Sequence, residues 1–124
     1  MDIKEFFKEY FKKIYYKESN GGYIVSLPYY HIDADDCSSF YIKQNDDSTY
    51  HLSDMGNSID HLEYNVDDYT LYNNKINKVC SRFGFTRNGK SIEFDIPNLE
   101  TNQTMKQLHR FLQGLAIIAN IDLF

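Results

Sequence analysis

The stretch Tyr50-His-Leu-Ser-Asp-Met-Gly56 constrains the fold of this chain more than any other. Tyr50 and Leu52 alternate with polar residues at the two-residue period of a strand. Asp54 follows the strand, and Gly56 permits backbone angles that a side chain disfavours, so the chain is expected to turn here. We therefore predict a strand that ends at this corner and leads into a short helix.

Before the corner, the sequence predicts one helix and a meander of three strands. Apolar residues three and four positions apart predict an amphipathic helix over residues 2–17, which Asn20-Gly-Gly22 would end. Alternating apolar residues and turn-forming residues then predict antiparallel strands. These strands cover residues 23–27, 38–43 and 49–53.

After the corner, the sequence predicts three helices and a β-hairpin around Asn88-Gly89. Candidate capping residues and glycines set the helix ends. The predicted elements are a helix over residues 58–64 capped by Asn57 or Ser58, a helix capped by Asp68 and stopped by Gly84, strands at Phe85–Arg87 and Ser91–Ile96, and a helix from Asn102 to about Asn120.

These elements predict an α+β fold. It consists of an antiparallel three-stranded meander plus a β-hairpin, packed with amino-terminal, central and long carboxy-terminal helices. The length of 124 residues suits one domain over residues 1–124. With eleven Tyr, nine Phe and no Trp, the core is expected to contain many ring contacts.

The sequence favours a cytoplasmic location. It has no apolar run long enough to span a membrane, and its charged amino terminus lacks the core of a signal peptide. The two cysteines, Cys37 and Cys80, are therefore predicted to be free and reduced.

The negative charge is concentrated in the middle third of the chain. Residues 29–71 contain ten acidic residues against Lys43 alone, a net charge of −9. Such a segment repels nucleic-acid backbones and attracts basic surfaces, although a solvated, loop-rich edge has the same composition. The predicted acidic binding surface consists of Asp33, Asp35, Asp36, Asp46, Asp47, Asp67 and Asp68.

Asp54 also takes part in an alternative, metal-dependent interpretation. Carboxylates at positions 33, 35, 36 and 54 could converge and hold Mg²⁺ or Ca²⁺, but they could equally form turns. The four histidines show no close zinc-ligand spacing, and the chain has no glycine-rich phosphate loop. We therefore assign no catalytic residue, metal ligand or cofactor from the sequence.

Two further features suggest other partners. Basic residues near the carboxy terminus predict a modest patch, which gives weak support for nucleic-acid binding. The wide apolar stripe of the last helix suggests burial against the sheet and a homodimer contact. The basic patch consists of Lys75, Lys78, Arg82, Arg87 and Lys90.

Several segments together resemble the DUF1828 family. They are Ile24-Val-Ser-Leu-Pro28, Asp35-Asp36, Phe40-Tyr-Ile42, the Tyr50–Gly56 stretch and Leu62. Ser53 replaces the usual Thr, and Tyr29-Tyr30 is bulkier than the usual single Phe. The resemblance implies a domain of unassigned function from bacteria, phages or mobile elements, and it implies no catalytic role.

The leading hypothesis is a non-enzymatic protein-binding protein of phage or mobile-element origin. In one form it inhibits a host defence nuclease, because its carboxylates occupy a basic groove that otherwise binds DNA phosphates. One alternative is a metal-dependent nucleic-acid-processing enzyme that uses Asp36 and Asp54. The other is a regulatory domain that dimerises through its last helix.

Overall fold

A computed structural model describes residues 2–10, 15–26 and 39–124, and these residues confirm the α+β fold. The helices are α1 (Ile3–Tyr10), α2 (Asn57–Asn65), α3 (Asn73–Phe83) and α4 (Thr101–Ala119), with short 3₁₀ helices at Tyr69–Tyr72 and Ile121–Leu123. The strands are β1 (Tyr15–Ser19), β2 (Gly22–Ser26), β3 (Ser39–Gln44), β4 (Tyr50–Ser53), β5 (Thr86–Asn88) and β6 (Ser91–Ile96).

The strands form one antiparallel sheet with the order β1-β2-β3-β4-β6-β5. The first four strands are a meander, and the β5–β6 hairpin joins it through β6. Tyr50 lies opposite Ile96, and Ser53 lies opposite Glu93. The turn between β3 and β4 and the turn between β5 and β6 therefore lie at opposite ends of the sheet.

The amino-terminal helix is shorter than predicted. Residues Tyr15–Ser19 form β1, so the prediction of a helix through residue 17 is wrong. Asn20 and Gly21 have φ angles of 48° and 80°, the left-handed pair that a tight two-residue hairpin turn requires. Asn20-Gly21 therefore turns a hairpin instead of capping a helix, and the meander has four strands.

The central helix ends at the predicted residue, whereas Asp68, predicted as its cap, caps the 3₁₀ helix that precedes it. The Asp68 carboxylate accepts a hydrogen bond from the Thr70 N–H at 3.0 Å, at the start of the 3₁₀ helix that leads into α3. Gly84 has a φ angle of 77° and ends α3 in the left-handed conformation.

The last helix begins slightly earlier than predicted. The Asn98 side chain accepts from the Glu100 N–H at 3.1 Å, and the Asn98 carbonyl accepts from the Thr104 hydroxyl at 3.0 Å. These bonds fix the chain before Thr101, where α4 starts. Asn102 consequently lies inside the first turn, and its prediction as the cap is wrong.

Helices α1 and α4 cover the same face of the sheet. Phe40 of β3 is fully buried, and its ring centroid lies 6.0 Å from that of Phe7 in α1 and 6.0 Å from that of Phe111 in α4. Phe111 also stacks on Phe94 of β6. The predicted aromatic core is therefore confirmed, and α2 and α3 pack beside α4.

The wide apolar stripe of α4 is used inside the domain. Its side chains contact the sheet and the neighbouring helices and are at most 1% exposed. These residues are Leu108, Phe111, Leu112, Leu115 and Ile118. The homodimer consequently stays a prediction without this support. No helix in the described segments is long and apolar enough to cross a membrane.

Candidate functional site

The carboxylate of Asp54 is buried where β4, β6 and α2 meet. Its Oδ1 accepts hydrogen bonds from the N–H groups of Gly56 at 2.9 Å and Ile92 at 2.8 Å. Its Oδ2 accepts from the Ser58 N–H at 3.1 Å. Asp54 therefore joins the two strands and caps α2 from outside the helix, so the predicted cap at Asn57 or Ser58 is wrong.

The backbone at this corner places the N–H groups around the carboxylate. Met55 and Gly56 have φ angles of 59° and 79°, two consecutive left-handed residues that reverse the chain. The Ser53 hydroxyl accepts from the Met55 N–H at 3.0 Å and fixes the first of them. The predicted turn at Asp54 and Gly56 is thus present.

The environment of Asp54 indicates a structural role. Its side chain is only 1% exposed, and burial raises the pKa of its carboxyl above the ordinary value. Hydrogen bonds from Ile92, Gly56 and Ser58 oppose this rise without cancelling it. Because backbone N–H groups bind both carboxylate oxygens, Asp54 holds the corner together and faces away from solvent.

The metal-dependent alternative gains no support from this geometry. Asp36, the partner predicted for Asp54, lies outside the described residues, as do Asp33 and Asp35. Within the described part of the chain, no three His, Cys, Asp or Glu side chains are placed to hold a metal ion. The pairing of Asp36 with Asp54 around a metal stays a prediction.

The four described residues of the predicted acidic surface lie at two ends of the sheet. Asp46 and Asp47 are in the turn between β3 and β4. Asp67 and Asp68 lie between α2 and α3. The residue that follows them, Tyr69, has its ring centroid 5.4 Å from Lys90 Nζ in the β5–β6 turn, so this pair is beside the other end of the sheet. The structure therefore separates these two pairs instead of bringing them together.

Asp47 and Asp68 organise their own turns and remain exposed. Each carboxylate accepts hydrogen bonds from the N–H and hydroxyl of the threonine two residues later, Thr49 and Thr70. These bonds lower the pKa of both carboxyl groups. Both residues are thus turn-forming, as the simpler interpretation expected, and both carry a negative charge into solvent at neutral pH.

A histidine between two carboxylates occupies the face of the sheet opposite α4. The Nδ1 atom of His51 lies 2.7 Å from Asp95 Oδ1, and its Nε2 atom lies 3.7 Å from Glu93 Oε1. Ser91 donates to Glu93 and contacts the Ser53 hydroxyl at 2.9 Å. The sequence did not predict this network, because it does not show that β6 pairs with β4 in the sheet.

The structure adds one carboxylate of β6 to the end of the sheet where Asp46 and Asp47 lie. Asp95 and Glu93 lie on β6, and the residue after Asp95 pairs with Tyr50 next to the β3–β4 turn. Asp95 is 61% exposed in its side chain. Glu93 lies opposite Ser53, at the other end of β4. We therefore use the term acidic end for Asp46, Asp47 and Asp95.

The predicted basic patch does not assemble as a whole, because Arg87 is used inside the domain. Its guanidinium donates to Asn73 at 2.9 Å, to Asn77 at 3.1 Å and to the Gly89 carbonyl at 2.8 Å. It thereby ties β5 to α3.

Lys90 is also engaged. Its ammonium group pairs with Asp60 at 3.2 Å and with Glu63, both on α2. The three remaining members of the patch, Lys75, Lys78 and Arg82, lie on α3 and are exposed.

The one cysteine that the structure describes is a free thiol. Cys80 is buried on α3, and burial raises the pKa of its thiol, while nearby Arg87 opposes the rise. The prediction of a free cysteine is confirmed for Cys80, and Cys37 lies outside the described residues.

Comparison with known proteins places the chain in a family. A family model described as "Domain of unknown function DUF1828" matches residues 28–118. No curated protein and no solved structure matches the chain. The matched range begins after β2 and contains the Asp54 corner, α2, α3 and most of α4. Because the match covers well over half of the sequence, the chain belongs to the DUF1828 family.

Proposed function

We propose that this domain is a non-enzymatic protein-binding module that meets a basic partner through its acidic end. The observation that supports this function is the placement of Asp46, Asp47 and Asp95 at the same end of the sheet. They come from the β3–β4 turn and from β6, which are distant in sequence. Lys43, the only Lys or Arg within residues 29–71, pairs across the strands with His51 beside this end, so the three carboxylates outnumber the lysine.

The expected partner follows from the physics of exposed charge. A single exposed ion pair contributes only about 0.2–1 kcal/mol, so the acidic end needs several cations opposite it to bind firmly. Charge complementarity of this kind accelerates association and rejects acidic partners, and salt weakens it. The partner is therefore a protein with a clustered basic surface.

A nucleic-acid-binding groove is the basic surface that this end fits best. In the specific form of the proposal, the domain comes from a phage or mobile element and inhibits a host defence nuclease. Its carboxylates then occupy positions that DNA phosphates otherwise take. The resemblance to a family from bacteria, phages and mobile elements and the net charge of −9 over residues 29–71 support this form.

The experiment uses two matched charge variants in affinity capture from a bacterial host lysate. Asp46→Asn with Asp47→Asn removes two charges from the acidic end. Asp67→Asn with Asp68→Asn removes two charges elsewhere, and each pair contains one residue that accepts from a threonine two positions on. Asparagine keeps a side-chain acceptor, so both turns are expected to persist.

The proposal expects a partner, identified by mass spectrometry, that the first variant loses and the second retains. Raising the ionic strength from about 0.1 M to about 1 M shortens the Debye length from about 10 Å to about 3 Å and should elute it. Excess duplex DNA should compete if the partner is a nuclease. If the unsubstituted domain and both variants capture the partner equally, or if high salt leaves the captured partner bound, the proposal is contradicted.

A further inference from the structure

Helix α3 and the end of α4 enclose a groove that the proposed function does not use. The groove has a volume of about 300 Å³. Val79 and Phe83 of α3 line one side of its floor, and Ile117 and Ile121 line the other. Val79, Phe83 and Ile117 are half-buried, so they offer apolar surface that the fold itself does not fully cover.

Cations surround this floor. Lys75, Lys78 and Arg82 occur at three- and four-residue steps on one side of α3, a span of about 10 Å. The Arg110 guanidinium of α4 lies 4.7 Å from the Phe83 ring centroid and donates to the Arg82 carbonyl at 2.8 Å. Among the described residues that line the groove, none is an aspartate or glutamate, and Lys75 donates to the main-chain oxygen of Phe124 at the groove edge at 3.1 Å.

We propose that this basic groove binds an acidic, amphipathic segment of a partner protein. Apolar side chains of that segment would cover the floor, and its carboxylates would meet Lys78 and Arg82 at the rim. Charge complementarity selects an acidic occupant. The floor is mostly aliphatic, which favours a peptide over nucleic acid, since phosphates and sugars gain little from burying Val79 and Ile117. This surface is separate from the acidic end and opposite in charge.

The test measures the fluorescence anisotropy of a labelled acidic peptide that carries leucine and phenylalanine between glutamates. Lys78→Glu with Arg82→Glu reverses two charges at the rim. Lys43→Glu with Lys106→Glu reverses two exposed lysines that do not line the groove, which makes it a matched control for net charge. Circular dichroism verifies that both variants fold, which is expected because all four side chains are exposed.

The proposal expects saturable binding that the rim variant weakens by at least about tenfold and the control weakens much less. Peptides with glutamine in place of glutamate, or serine in place of the apolar residues, should also bind at least about tenfold more weakly. The absence of saturable binding up to about 1 mM peptide overturns the proposal. Equal weakening by the two variants, or binding of a single-stranded oligonucleotide instead of the peptide, overturns it as well.

Discussion

Replacement of Asp54 by alanine is expected to destabilise the domain severely. The change removes the acceptor for the buried N–H groups of Gly56, Ser58 and Ile92. Each unsatisfied buried group costs about 1–3 kcal/mol, and removal of a carboxylate whose burial is unfavourable returns part of that sum. We expect a net loss of about 3–5 kcal/mol, a large fraction of the roughly 5–15 kcal/mol typical of a domain.

Asparagine at the same position separates hydrogen bonding from charge. Its carbonyl oxygen can replace Oδ1 and accept from Gly56 and Ile92, while its amide nitrogen faces the Ser58 N–H, which then lacks an acceptor. Asp54→Asn should therefore cost about 1–2 kcal/mol, less than alanine. Urea unfolding followed by circular dichroism measures both losses, provided that the m-values match that of the unsubstituted domain.

Asp68→Ala provides the control. Asp68 also accepts from an N–H two residues later, but it is fully exposed, so water can replace the lost bond and the stability should fall much less. Alanine at position 54 that costs no more than alanine at position 68 would refute the structural role of the buried carboxylate. Equal losses for Asp54→Ala and Asp54→Asn would show that charge, and not the number of acceptors, decides the effect.

Two further predictions concern packing and pH. Gly114→Ala places a Cβ atom 2.4 Å from the Phe85 ring, so we expect a loss of about 1–3 kcal/mol despite the preference of helices for alanine. Urea unfolding measures this loss, with Gln113→Ala on the exposed side of α4 as the control. A Gly114→Ala protein that is more stable than the unsubstituted domain would contradict the prediction. Because the pKa of Asp54 is raised on folding, the part of its contribution to stability that comes from this pKa difference is fully present below the unfolded pKa of about 3.8 and is lost as pH rises through the folded value. The stability difference between the unsubstituted domain and Asp54→Asn should thus be smaller at neutral pH than below pH 3.8, and a constant difference would contradict this.

Local sequence signals predicted most of the fold, and one of them was misread. The Asn88-Gly89 hairpin and the helix stop at Gly84 needed only the residues themselves. Asn20-Gly21 is the same dipeptide in another hairpin, but the apolar stripe of α1 precedes it and suggested the end of a long helix. Where a helical pattern runs into an Asn-Gly pair, the signals compete, and strand pairing with β2 decides between them.

The chemistry of the corner depends on contacts that sequence spacing does not contain. Asp54 receives a hydrogen bond from Ile92, which is 38 residues later, and His51 pairs with Asp95, 44 residues later. Both contacts exist because β6 lies beside β4. The sequence predicted the strands and the turn at Asp54, but the order of the strands in the sheet is set by tertiary packing.

Four residues of the family pattern are inside the domain, whereas the residues proposed for binding are outside it. Phe40, Ile42, Leu62 and Asp54 all belong to the family pattern, and each is at most 1% exposed. The pattern therefore specifies how the chain folds around its corner. The binding surfaces consist of exposed side chains beyond this pattern, so a relative can keep the corner and bind a different partner. Substitutions at the acidic end or the basic groove should consequently change binding while leaving the stability nearly constant, and substitutions at the corner should do the reverse.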